Sequence, residues 1–112
     1  MKLLPSLRQK KRYIVFEVIS SRTFLPEEIK EEVHRSLLQF MGEWGLAQVV
    51  PILVKVTPTQ FMLKVNHKYV DQVKAALTLS KKIKNTSLIM KSMVVSGTIK
   101  QANAHIREVF HE

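Results

Sequence analysis

The sequence predicts an α+β domain, and three observations predict it. Runs of β-branched and aromatic residues alternate with runs of helical period in the order strand, helix, strand, strand, helix, strand, the split βαβ pattern. The middle two strands are separated only by Pro58-Thr59, so they pair as a hairpin. At 112 residues, 46% of them apolar, the chain sustains one core and no second one. Together these give a ferredoxin-like, RRM-like sandwich, a four-stranded antiparallel sheet with two helices on one face and a further helix at the C-terminus.

From Met1 to Arg12 the chain carries Lys2, Arg8, Lys10, Lys11 and Arg12 and no acid. It reads as a basic arm, residues 1–12, ahead of one domain, residues 13–112. The first strand, Tyr13 to Ile19, is apolar on both faces apart from Glu17 and so belongs at the centre of the sheet. Glu17 then needs a lysine from a neighbouring strand, and Lys55 and Lys64 are placed to share its face. Pro26 suits the first position of a helix, with Glu27 and Glu28 behind it at the positive end of the dipole. That helix is expected from about Pro26 to Met41, with Ile29, Val33, Leu37, Phe40 and Met41 as its apolar stripe. Glu31 and Arg35 form an ion pair on its wet side, and Gly42 and Gly45 end it. Trp44, in the turn between those glycines, reads as a core or interface anchor rather than a base-stacking platform.

Val49 to Thr57 and Gln60 to Asn66 form the hairpin, the first of them at a sheet edge because Pro51 cannot donate to a ladder. A second helix from about Tyr69 to Ile83 buries Val70, Val73, Ala76 and Leu77, and Lys81, Lys82 and Lys84 complement the negative end of its dipole. A fourth strand, Leu88 to Val95, leads into Ser96-Gly97. There Gly97 supplies backbone freedom for a turn, Thr98 caps the last helix and Gln101 completes a capping box. The last helix, Thr98 to about Phe110, carries Ile99, Ala102, Ile106, Val109 and Phe110 on one stripe. Three resting places suit it: the open sheet face, the sheet rim or a partner chain.

Charge narrows the function. The net charge is +9, and it is unevenly spread: five of the nine acids (Glu27, Glu28, Glu31, Glu32, Glu43) crowd into the first helix and its exit. From Trp44 to Arg107 Asp71 is the only acid against ten basic residues, so one side of the molecule is expected to be strongly positive. With no cysteine there is no disulfide framework, thiolate nucleophile or cysteine zinc site, which points to the cytoplasm. No apolar run approaches the ~20 residues of a membrane helix, and the apolar stretch at the N-terminus is too short for a signal peptide, so no membrane is expected. His34, His67, His105 and His111 lack metal-ligand spacing, and no nucleophile stands beside a base.

The partner these features favour is nucleic acid. Candidate phosphate contacts are Lys10, Lys11, Arg12, Lys64, Lys68, Lys81, Lys82, Lys84, Lys91 and Lys100. Ser96, Gly97 and Thr98 join them because a helix start offers unpaired N–H groups to an anion. Aromatic residues for base stacking are sparse, Tyr13 or Phe16 on the first strand and Phe61 on the third, so contact is expected with phosphates and RNA shape rather than with sequence. The alternative is a small acylphosphatase-like hydrolase, in which Arg22, in the loop after the first strand, would hold phosphate. Ser20-Ser21-Arg22-Thr23 has no glycine for the close backbone approach such a cradle needs.

Three blocks, Lys11 to Val18, Lys68 to Leu77 and Val95 to Ala102, resemble in order and spacing the family of archaeal ribonuclease P protein component 2, counterpart of a small protein of eukaryotic RNase P and RNase MRP. The resemblance spans nearly the whole chain. It implies a non-catalytic subunit of ribonuclease P, in which the RNA, using magnesium, removes the 5′ leader of precursor tRNA while this protein, binding no cofactor itself, supports the RNA's active shape. It also implies the partners: RNase P RNA, ribonuclease P protein component 3 in a heterotetramer built on two copies of this chain, and other RNase P proteins. Trp44, Ile106, Val109 and Phe110 are the candidate protein interface.

Overall fold

The fold is seen in a computed structural model that describes residues 10–83 and 85–102. In chain order it comprises β1 (Lys11–Ser20), α1 (Pro26–Val49), β2 (Ile52–Val56), β3 (Gln60–Asn66), α2 (Val70–Thr78), β4 (Lys82–Ile83) and β5 (Thr86–Ser96). All sheet neighbours are antiparallel, in the order β2-β3-β1-β5-β4. The α+β class and the central place of the first strand are as the sequence predicts, and β2, preceded by Pro51, lies at the edge. The sheet has five strands rather than four, because Lys82–Ile83 pairs with Thr86–Ser87 across a turn in which Asn85 is left-handed (φ 67).

One face of the sheet carries the main core. Ile14 and Phe16 of β1, Phe61, Leu63 and Val65 of β3, and Leu88 and Met90 of β5 meet Ile29, Val33 and Leu37 of α1 and Val73, Ala76 and Leu77 of α2. Both helices therefore lie on that face. Phe16 and Phe61 are cross-strand partners and stack, their ring centroids 5.1 Å apart and both rings wholly buried. The second face is smaller: Val15, Met62 and Ala102 are buried together, with Tyr13, Val54, Met93 and Val94 packed around them. A bulge at Met93 puts two consecutive apolar residues of β5 beside that cluster. Residues 99–102 are helical and Ala102 is buried, so of the three resting places the last helix begins on the second sheet face.

Several local expectations are corrected. β1 starts at Lys11, so Lys11 and Arg12 are strand rather than arm. α1 runs on to Val49, with a kink at Gly42 (φ 75), a conformation open to glycine. Gly45 does not end the helix. It is buried in the second half, where a β-carbon would fall 2.8 Å from Met41 Cβ, and Trp44 stands on that helix rather than in a turn. α2 stops at Thr78, so no basic residue lies in its last turn and Lys81 and Lys82 sit beyond it. Arg35 pairs with Glu32, three residues before it, instead of Glu31. Gly97 does not have positive φ and a β-carbon there would meet only open space and the Arg12 guanidinium, so its turn does not depend on glycine.

Because Phe61 is fully enclosed and stacked on Phe16, Phe61→Ala should cost about 3–5 kcal/mol of stability. Urea unfolding monitored by circular dichroism measures this, and a loss under 1 kcal/mol, well below the ordinary range for such a truncation, would show that the ring is not a core element.

Candidate nucleic-acid interface

Charge collects where strands end, since both sheet faces are largely apolar along their middles. At one end, β1 begins, β3 finishes and β5 finishes side by side. Lys11 lies opposite Asn66, Arg12 opposite Val65, and Tyr13 between Lys64 and Ser96. Just before β1, the Lys10 carbonyl accepts from the His67 backbone N–H at 2.9 Å, and His67 Nδ1 lies 3.1 Å from the same oxygen. Asn66 holds the turn that follows. Its Oδ1 accepts from the Lys68 N–H (3.1 Å) and its Nδ2 donates to the Gln48 carbonyl (3.3 Å), which fixes where Lys68 emerges.

The same end receives the Ser96-Gly97-Thr98 turn. Arg12 Nη1 lies 3.9 Å from where a Gly97 side chain would begin. Thr98 Oγ1 accepts from the Gln101 N–H (3.3 Å), as a cap should, but the Gln101 side chain takes the Ser96 hydroxyl (2.8 Å) rather than closing a capping box. Ser96 Oγ also accepts from the Thr98 N–H (3.1 Å), so the turn is internally satisfied while Gly97, Thr98 and Lys100 stay exposed. Lys64 extends over the Tyr13 ring, its Nζ 6.0 Å from the centroid. Lys10, Lys11, Arg12, Lys64, Lys68, Ser96, Gly97, Thr98 and Lys100 are thus brought to one end of the molecule.

Lys81 and Lys82 are not with them. They lie at the other end of β1, where Ser20 pairs with Leu88 and the Leu88 N–H donates to the Lys81 carbonyl. Ten strand residues, roughly 30 Å, separate the two ends. The single positive side expected from composition is two patches. Lys91 stands between them directly opposite Glu17, so it rather than Lys55 or Lys64 is the cross-strand neighbour of that acid. Lys84 lies outside the described residues, as do Ile106, Val109 and Phe110 of the expected protein interface. Trp44 is 75% exposed, a surface residue and not a core anchor.

The second patch is held by groups that sequence reasoning missed. Glu28 and Glu32 are both buried on α1. Glu32 accepts from Arg35 (Nη2, 2.5 Å; Nε, 3.0 Å), from Ser36 Oγ (3.1 Å) and from Ser80 Oγ. Glu28 accepts from the Leu25 N–H (2.9 Å) at the helix start and pairs with Arg22 (3.0 Å). The rest of the Arg22 guanidinium is engaged as well: Nε donates to Thr86 Oγ1 (3.1 Å), Nη1 to the Thr23 carbonyl (3.2 Å), and the group stacks 4.3 Å over Phe24. An arginine so committed ties loop to hairpin and is not poised as a phosphate cradle. The signal for the glutamates was present, since Glu28, Glu32 and Ser36 run one residue ahead of the Ile29, Val33, Leu37 stripe and so flank the buried face. Among the described residues no group of three His, Asp or Glu is arranged to hold a metal ion, and no helix is long and apolar enough to cross a membrane.

Comparison with known proteins adds to this geometry. The model of the Rpp14/Pop5 family matches residues 12–107. A protein of Pyrococcus horikoshii named ribonuclease P protein component 2 is 40% identical over 101 residues, covering 88% of this chain and 84% of the relative. The protein of the same name from Pyrococcus furiosus is 41% identical with the same coverage, and that from Methanococcus aeolicus is 33% identical over 98% of this chain and 82% of its own. A chain in the cryo-EM structure of yeast ribonuclease MRP shares the fold at TM-score 0.68 and 12% identity, over 99% of this chain and 93% of that one.

Burial alone would raise the Glu32 carboxyl, but the hydrogen bonds and charge of Arg35, with those of Ser80 and Ser36, outweigh it and hold the group below its ordinary value. A lowered native value means that the ionised carboxylate adds stability that is complete above the unfolded value and is lost as pH falls through the native one. The stability gap between wild type and Glu32→Gln should therefore shrink on acidification through that window. Urea unfolding at a series of pH values measures it, and a gap independent of pH would contradict the ionised assignment.

Proposed function

The chain belongs to the Rpp14/Pop5 family, and from that premise we propose that it is a protein subunit of ribonuclease P which binds the RNA through its phosphates and stabilises the RNA's active fold. The observation that carries this is the match to ribonuclease P protein component 2 at 33–41% identity over most of both chains. The particle it serves is an endoribonuclease that removes the 5′ leader of precursor tRNA. Bond breaking falls to the RNA with its magnesium, and this chain contributes cations and shape. In the same reading the fold is a ferredoxin-like unit, β2-β3-β1-β5, to which the short β4 adds an edge.

Two features support RNA contact through phosphate. The strand-end patch brings Lys10, Lys11, Arg12, Lys64, Lys68 and Lys100 to one end of the sheet, with exposed Gly97 and Thr98 among them. Lys81 and Lys82 form the hairpin patch, Lys91 lies on the sheet between, and Lys84 is kept as a candidate contact from the sequence. For protein partners, ribonuclease P protein component 3, a second copy of this chain and other RNase P proteins are proposed. Exposed Trp44 and the cross-strand pair Ile19 (48% exposed) and Ile89 (59%) offer apolar surface for them, and Ile106, Val109 and Phe110 are kept as interface candidates from the sequence. The particle works in the cytoplasm.

Reconstitution tests the role. Mixing the chain with RNase P RNA and component 3 should raise precursor tRNA cleavage at low magnesium, and an unchanged rate on omitting the chain would refute it. At the level of residues, Lys64→Ala with Lys68→Ala should lower the salt slope of RNA binding by about 0.7–0.9 for each phosphate contact removed. An unaltered slope would remove the strand-end patch from the interface.

A further inference from the structure

The hairpin that carries Lys81 and Lys82 is anchored on its apolar side by Ile83, which is buried in the main core, and through the Leu88 N–H, which donates to the Lys81 carbonyl. Its polar side has less to hold it. β4 contributes two residue pairs, α2 ends before it without a basic last turn to engage the helix dipole, and its lysines repel one another on a chain of net charge +9. Yet Ser80 at its base is only 4% exposed. The side-chain links that fix its polar side come from α1. On one strand side, Glu32 takes the Ser80 hydroxyl while Arg35 and Ser36 keep the carboxylate satisfied and aimed. On the other, Glu28 holds Arg22, whose Nε donates to Thr86 Oγ1, and Thr86 is the residue paired with Ile83 across the hairpin. Ser20 Oγ donates to the Ser87 carbonyl at 2.9 Å beside it.

We propose that Glu28 and Glu32 are positioning residues for RNA binding: one turn apart on α1, they grip the two strands of the hairpin through Arg22–Thr86 and Ser80, and so present Lys81 and Lys82 as a fixed pair of charges. The proposal rests on the reading of these lysines as RNA contacts. Its physical content is preorganisation. A lysine pair on a loose loop loses freedom when it meets phosphate, whereas a pair on a clamped hairpin has already lost it, so the clamp raises affinity without touching RNA. It also accounts for acidic residues buried in a chain whose ligand is an anion: their charge is spent on Arg22, Arg35 and hydroxyl groups and does not face the RNA.

The test uses the full chain and RNase P RNA. Ser80→Ala and Thr86→Val remove the two hydroxyl links while leaving both glutamate–arginine pairs intact, so the fold has every ion pair it began with. Combined in the wild-type background they should weaken RNA binding roughly fivefold, the scale of coupling within one hydrogen-bond network, and should do nothing further in a Lys81→Ala, Lys82→Ala background. Hydrogen exchange should quicken at amides of the hairpin and not at those of β1 and β3. An equal loss in both backgrounds, or no loss in either, overturns the clamp. If Lys81→Ala with Lys82→Ala itself binds RNA as wild type does, the hairpin is not an RNA contact, and that part of the functional reading falls together with this inference. If the lysine variant binds weakly and the hydroxyl variant does not, the inference alone falls.

Discussion

The structure depends on a strand that must be roofed on both sides. Ile14, Val15 and Phe16 follow one another in β1, all fully buried, and successive side chains of a strand point to opposite faces. The helices cover Ile14 and Phe16, while Ala102 at the start of the last helix packs over Val15 and its cross-strand neighbours Met62 and Val94. β1 is therefore central, β3 and β5 are its neighbours, and the middles of both faces are closed to most charged groups. Lysines and arginines are displaced to the strand ends, which is why the basic surface comes as two patches and not as one side of the molecule.

The second arrangement of charge is the inverse of what an amphipathic helix suggests. Glutamates at the start of α1 suit its dipole, and that much follows from position. Two of them, however, point inward, because each finds a set of donors there: Arg22 and the Leu25 N–H for Glu28, and Arg35, Ser36 and Ser80 for Glu32. A buried carboxylate is tolerable only when its oxygens are so occupied. In a chain with this much positive charge, inward acids leave the outward field to the lysines, and the same hydrogen bonds decide where some of those lysines stand.

Much of the fold was legible in the chain because periodicity and punctuation are local. β3 was read to the residue, Pro26 opens α1 as expected, and Pro51 marks the edge strand. What was not legible depends on contacts distant in sequence. α1 continues past Gly42 because Gly45 and Val49 find a place to pack, which no window around residue 42 reveals. α2 ends early because Ser80 reaches a carboxylate 48 residues away, and the lysines read as its last turn become a hairpin. For the interface, residue types were legible and grouping was not. Which lysines share a patch is set by strand register, and Lys91 meets Glu17 only because β5 pairs with β1 where it does. Arg22 looked available for phosphate from its loop position, and it is the tertiary partners Glu28, Thr86 and Phe24 that engage it.

An RNA footprint on the lysines tests most directly whether two patches at opposite strand ends meet the polyanion. Amine acetylation of the protein with and without RNase P RNA, read by mass spectrometry, should show Lys10, Lys11, Lys64, Lys68 and Lys100 protected, and Lys81 and Lys82 protected with them. Lys30 on α1, Lys55 on β2 and Lys74 on α2 should stay reactive. Protection spread evenly over all of these, or centred on Lys30, Lys55 and Lys74, would contradict the account.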